Sequence, residues 1–143
     1  MRTNFIDKDK MEKTNFENLK VYQLSENLAD SIWKIVVKWN SFAKDTLGKQ
    51  LVNATDSIGA NLAEGIGRYS VVDTRRFVRI SRGSLYETKH WLRRAYKRDL
   101  LNDKEIEFLL PIIDELTIVL AGYLRSLTRQ VNKNKLESLG ENK

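Results

Sequence analysis

Residues Gln50 to Arg68 read QLVNATDSIGANLAEGIGR, and the spacing of their apolar side chains decides the fold class. At about 100° per residue, Leu51, Ala54, Ile58, Leu62 and Gly65 share one face, as an amphipathic helix against a core requires. Ser57, Asn61, Glu64 and Arg68 recur every three or four residues along one flank, so their side chains stack. Val52, Gly59, Ala63 and Ile66 occupy the other flank. Glycines at 59, 65 and 67 would each cost up to about 1 kcal/mol relative to Ala in a helix interior. Keeping three predicts close helix packing or, at Gly67, a C-cap.

Working outward, helical periodicity also spans Asn18 to Asn40, with Tyr22, Leu28, Ala29, Ile32, Ile35, Val36 and Trp39 on a wide arc. Ser41 to Asp45 is a short connection, and Asp45 or Thr46 is the expected cap of the second helix. After Gly67, Asp73 or a neighbour caps a third helix running to about Lys97. Its expected inward seam is Phe77, Ile80, Ser81, Ser84, Thr88, Trp91 and Ala95. Asn102 and Glu105 have the spacing of a capping box and open a fourth helix with Ile106, Leu109, Ile113, Leu116, Leu120, Leu124 and Leu127 inward. Pro111 falls inside it and predicts a kink. Residues 1–15 and 129–143 lack periodicity and are expected to be flexible tails, the second one basic. The chain is therefore read as all-α, an antiparallel up-down-up-down four-helix bundle over residues 16–128. The arc on the first helix, and Ile112, Val119 and Tyr123 on the fourth, exceed what one core needs. That surplus predicts a cyclic homo-oligomer.

Composition supports this class. The 143 residues include one Pro, seven Gly and no Cys, which excludes disulfides, thiolate metal sites and Cys nucleophiles. No apolar run approaches the roughly 20 residues of a membrane span, and none resembles a signal peptide, so a cytoplasmic protein without membrane contact is expected. The net charge of +6 is unevenly placed. Arg68 to Arg98 hold ten basic and two acidic residues, a local +8, leaving −2 for everything else.

Half of those ten basic residues fall into a pattern. Arg75, Arg79, Arg82, Tyr86, His90, Arg93 and Lys97 recur every three or four residues, forming one stripe roughly opposite the expected seam. Cations that neutralise phosphates, interleaved with flat rings that stack on bases, point to nucleic-acid binding. Asn61, Glu64, Arg82, Ser84 and Glu87 form a second group if the second and third helices pack antiparallel. Glu64 and Glu87 resemble paired acid–base carboxylates, but an Arg between carboxylates with Asn and Ser donors reads better as a satisfied polar layer that sets register. His90 is the single histidine, which rules out a two-His metal site within one chain. Helical-bundle RNases carry an Arg, then four to six intervening residues, then His; Gly83, Ser84 and Leu85 occupy the positions that would supply that Arg before His90. No catalytic residue, metal or cofactor is expected.

The segments FENLKVYQLSENLA (Phe16 to Ala29), NLAEGIGR (Asn61 to Arg68) and TRRFVRISRGSLYE (Thr74 to Glu87) resemble the bacterial four-helix family of proteins encoded in 23S ribosomal RNA intervening sequences. The likeness runs from about Phe16 to Leu127. It implies a ring-like pentamer with no established enzymatic activity. The family pattern falls on Asn61, Glu64, Gly65, Arg82, Gly83, Ser84 and Glu87, read as structural or assembly residues. A related branch, the accessory proteins of diversity-generating retroelements, implies a reverse transcriptase as partner, although the motifs here fit the intervening-sequence branch better. The sequence thus predicts a non-enzymatic, homo-oligomeric nucleic-acid-binding bundle. The alternative is a protein-interaction scaffold or accessory subunit.

Overall fold

The periodicity of residues 18–40 becomes α1 (Lys20–Val36), entered through a 3-10 turn at Asn15–Asn18. Phe16 meets the Tyr22 ring edge-on at 5.0 Å, anchoring the chain as it enters the fold. The computed structural model describes residues 15–141, and the expected tail at 1–15 lies almost wholly outside them. All regular structure among the described residues is helical, with four long helices and no strand.

The second helix begins earlier than expected. Asn40, not Asp45 or Thr46, is its cap: its side-chain oxygen accepts from the Ala43 N–H at 3.0 Å. Ser41–Ala43 and a wider π-type stretch, Lys44–Gly48, then lead into α2 (Lys49–Ile66). Leu51, Ala54, Ile58, Leu62 and Gly65 are all buried, as the periodicity required. Ser70, not Asp73, caps α3 (Val71–Lys97) by accepting from the Asp73 N–H at 3.4 Å. Asp99 (φ 60°) turns the chain after α3, and Leu100 N–H returns to the Ala95 carbonyl at 2.9 Å. The Asn102–Glu105 capping box then forms, with reciprocal bonds of 2.8 and 3.0 Å.

The fourth helix, α4 (Asp103–Glu141), is longer than expected. Pro111 is exposed and does not end it. Residues 129–141, expected to fray, continue the helix, and Val131 is buried. Apolar periodicity reports burial rather than helicity; Arg, Gln, Lys, Leu and Glu favour a helix even where it leaves the core.

α2 lies between α1 and α3, and α4 packs against both α3 and α1. Together they enclose one core that includes Leu28, Ile32, Ile58, Leu62, Val78, Leu85, Leu116 and Leu120. Much of the apolar surplus read on α1 and α4 is spent here: Tyr22, Ile35, Trp39, Ile112, Val119 and Tyr123 pack against this core. Trp33, Phe42, Phe108 and Ile118 stay exposed, Phe42 at 79% and Ile118 at 70%.

α3 is rotated from its expected seam. The buried residues are Thr74, Val78, Ser81, Leu85, Thr88, Leu92 and Ala95. Phe77, Ser84 and Trp91 are displaced to a half-buried flank, and Ile80 is 43% exposed. The hydroxyls explain the rotation. Thr74 Oγ1 donates to the Gly65 carbonyl at 2.8 Å and Ser81 Oγ to the Ile58 carbonyl at 2.9 Å, both buried. Each uses a carbonyl's second lone pair, which a helical hydrogen bond leaves free. The paired numbers rise along α3 as they fall along α2. Such contacts need close backbones, which Gly65 permits: a Cβ there would come within 2.8 Å of Phe77 Cβ.

Candidate nucleic-acid interface

The rotation of α3 moves its basic stripe from the back of the helix to the flank beside α4. Its axis lies about 130° around the helix from the buried residues. Arg79 and Arg82 line a groove of about 520 Å³ with Ala121, Leu124, Arg125, Thr128 and Arg129 of α4. Arg75 stands behind them, Nη1 donating to Thr128 Oγ1 at 3.5 Å while its buried Nε has no partner among the described residues. No carboxylate lines this groove, and among the described residues none of the five arginines forms an ion pair.

The other half of the stripe sits in different surroundings. Tyr86 is 56% exposed, with the Lys89 ammonium 5.5 Å from its ring centre. His90 is exposed, and its ring meets Trp91 edge-on at 4.7 Å. Arg93 joins Lys89 and Tyr96 over an apolar hollow of about 320 Å³ formed with Leu92, Ile106, Leu109, Leu110 and Ile113. Lys97 lies among Asp99, Asp103 and Glu105. There Tyr96 donates to Asp103 at 2.9 Å, and that carboxylate raises the phenol's pKa. The stripe therefore divides into a purely cationic half around Arg79 and Arg82 and a half diluted by apolar and acidic neighbours.

The sequence does not single out Arg125 and Arg129, because their place depends on which helix lies beside α4 and the apolar repeat of α4 thins near Leu127. The signal was present. Ala121, Arg125 and Arg129 recur every four residues beside Leu124 and Thr128, on the flank that meets α3.

The expected polar layer of Asn61, Glu64, Arg82, Ser84 and Glu87 does not assemble. Asn61 donates to its own helix at the Ser57 carbonyl, 2.8 Å, and Glu64 pairs with Arg68 on the same helix. Arg82 faces α4, because a step of two positions turns it about 200° around the helix from Ser84. Ser84 is half-buried and Glu87 exposed. The Thr74 and Ser81 bonds set Glu64 level with Arg75, so Glu87 lies about 18 Å further along α3, too far for a carboxylate pair. Thr74 and Ser81 perform the register role expected of this group. Gly83 has open space where a Cβ would stand, so packing within the chain does not require a glycine there.

Opposite charge gathers between α1 and α2, where Glu26, Asp30 and Asp56 border a groove of about 300 Å³. Burial, followed by the charge on Asp30, raises the Asp56 pKa. No group of three or more His, Cys, Asp or Glu is arranged to hold a metal ion among the described residues. No helix among them is long and apolar enough to cross a membrane.

The family model of the 23S rRNA-intervening sequence protein matches residues 17–122. The chain belongs to this family. Among solved structures, it is similar to a protein of unknown function from the S23 ribosomal protein family of Bacteroides thetaiotaomicron VPI-5482, with a TM-score of 0.65 and 21% identity. The match covers 73% of this chain and 95% of the other. At that identity it speaks for the shared fold. No curated protein matches. All members of the family pattern quoted from the sequence lie within the matched segment, whereas Arg125 and Arg129 lie beyond it.

Proposed function

We propose that this 23S rRNA-intervening sequence family protein is a non-enzymatic, cytoplasmic nucleic-acid-binding protein, an antiparallel four-helix bundle acting as a cyclic homo-oligomer, a pentamer by family resemblance. The observation that carries the reading is the row of arginines beside α4, which faces solvent with no carboxylate to neutralise it. Guanidinium groups in that condition seek phosphates, and several subunits in a ring would multiply weak contacts. The family's description favours RNA over DNA. Exposed Trp33, Phe42, Phe108 and Ile118 offer apolar surface for subunit contacts. The separation of Glu64 from Glu87, and the lack of an Arg at the spacing RNases use before His90, favour binding over catalysis.

Fluorescence anisotropy with labelled RNA tests the reading. Affinity should fall linearly on a log–log scale as salt rises from about 50 to 200 mM, and native mass spectrometry should give a closed ring. Absence of binding at low salt would overturn the nucleic-acid reading. Retention of an acidic protein in a nuclease-insensitive pull-down would then favour the scaffold alternative, in which the same arginines dock a partner such as a reverse transcriptase.

A further inference from the structure

We infer that the groove between α3 and α4 is a discrete site for consecutive, covalently linked phosphates, with Arg125 and Arg129 of α4 as its second wall. This deepens the nucleic-acid reading and rests on it for the identity of the strand. Arg79 and Arg82 stand on one wall and Arg125 and Arg129 on the other, with Ala121 and buried Leu124 between them. Arg125 and Arg129 are separated by about 6 Å along the axis of α4, and Arg79 and Arg82 by about 4.5 Å along α3. Each guanidinium can bind two phosphate oxygens in its planar fork. Four forks exceed the unesterified oxygens of one phosphodiester, so the site is matched to neighbouring phosphates rather than an isolated one.

Two further features favour an anion there. The apolar floor weakens solvent screening, which strengthens charge-assisted bonds. Arg75, tethered to Thr128, adds a fifth positive charge immediately behind the pair on α3. Without an anion these charges only repel one another, so a linked phosphate that fills the groove should also stabilise the folded protein. Such a ligand has two sources: the backbone of an RNA strand, or a free polyphosphate.

The test uses the full chain, fluorescein-labelled oligouridine and sodium tripolyphosphate. In the Arg125→Gln/Arg129→Gln variant the salt slope of RNA binding should fall by about 1.4, since each phosphate neutralised on a single strand contributes about 0.7. Tripolyphosphate should raise the melting temperature of the wild type but not of the variant. Both substituted side chains are exposed, and the ligand-free melting temperature verifies folding. Lys133→Gln/Lys135→Gln removes the same charge from the same helix outside the groove and should leave the RNA slope and the tripolyphosphate shift intact.

RNA binding that depends on Arg125 and Arg129 and is displaced by tripolyphosphate identifies the strand as the source. A tripolyphosphate shift without RNA binding supports the groove and makes free polyphosphate its ligand, while overturning the nucleic-acid function. RNA binding with an undiminished slope in the arginine variant, or an equal loss in the lysine variant, overturns the groove and leaves the broader function standing. No response in either arm overturns both.

Discussion

The two sides of α3 solve opposite problems with polar side chains. On the side facing α2, Thr74 and Ser81 are buried and donate to the Gly65 and Ile58 carbonyls, with Val78 and Leu85 packed beside them. On the side facing α4, Arg79 and Arg82 meet Arg125 and Arg129 across a groove that holds no carboxylate. The first arrangement is closed, both of these hydroxyls having found a backbone oxygen. The second is open, its charges available to something outside the chain. A side that satisfies its own polar groups specifies structure; a side that leaves them unsatisfied in solvent is free to specify a ligand.

Substitutions can break this contrast, and the largest effect is expected on the closed side. Gly65→Val should lower unfolding stability by about 3 kcal/mol in urea titration, because the added carbons drive into Phe77 and the Thr74 carbonyl. Ser81→Ala should cost about 1 kcal/mol, the net value of one hydrogen bond, with RNA affinity unchanged once folding is complete. Replacing Arg79, Arg82, Arg125 and Arg129 by Gln should shift stability by no more than about 0.5 kcal/mol, as surface changes do, while weakening RNA binding severely.

The smallest effect sharpens the contrast from the acidic groove. Burial and Asp30 raise the Asp56 pKa above its usual value, so between the unfolded and folded values the native state holds more proton than the unfolded state. Stability from this group is therefore greatest below the ordinary carboxylate pKa and declines as pH rises through the folded pKa. Asp56→Asn should flatten that decline in melting temperature measured from pH 3 to pH 7, giving a slightly more stable protein at neutral pH.

The sequence was most legible where one helix carried the whole signal. The α2 seam and the Asn102–Glu105 box needed only spacing and chemistry within a few residues. The expected α3 seam differs from the buried one because Phe77, Ile80 and Trp91 draw the apolar axis away from Thr74, Val78, Leu85 and Leu92, while Thr74 and the expected Ser81 and Thr88 are buried despite their hydroxyls. Two of those hydroxyls reach carbonyls on α2, and no periodicity within α3 reveals a partner on another helix. The same limit hid the groove. Arg79 and Arg82 were visible as a stripe, but Arg125 and Arg129 joined them through packing of α4, at a point where its apolar repeat was already thinning. Residue chemistry points Glu64 to a partner on α3, yet Arg68, one turn along its own helix, holds it instead.

On the proposed function α3 keeps folding and binding on separate sides, a separation that paired measurements on Arg79→Gln/Arg82→Gln/Arg125→Gln/Arg129→Gln put to the test. Salt-dependent RNA anisotropy and the urea unfolding midpoint would be recorded on the same preparation. The expected result is a salt slope reduced by about three, from four lost phosphate contacts at about 0.7 each, with the midpoint essentially unchanged. An unchanged slope, or a loss of binding that tracks a collapse of the midpoint, would contradict the separation.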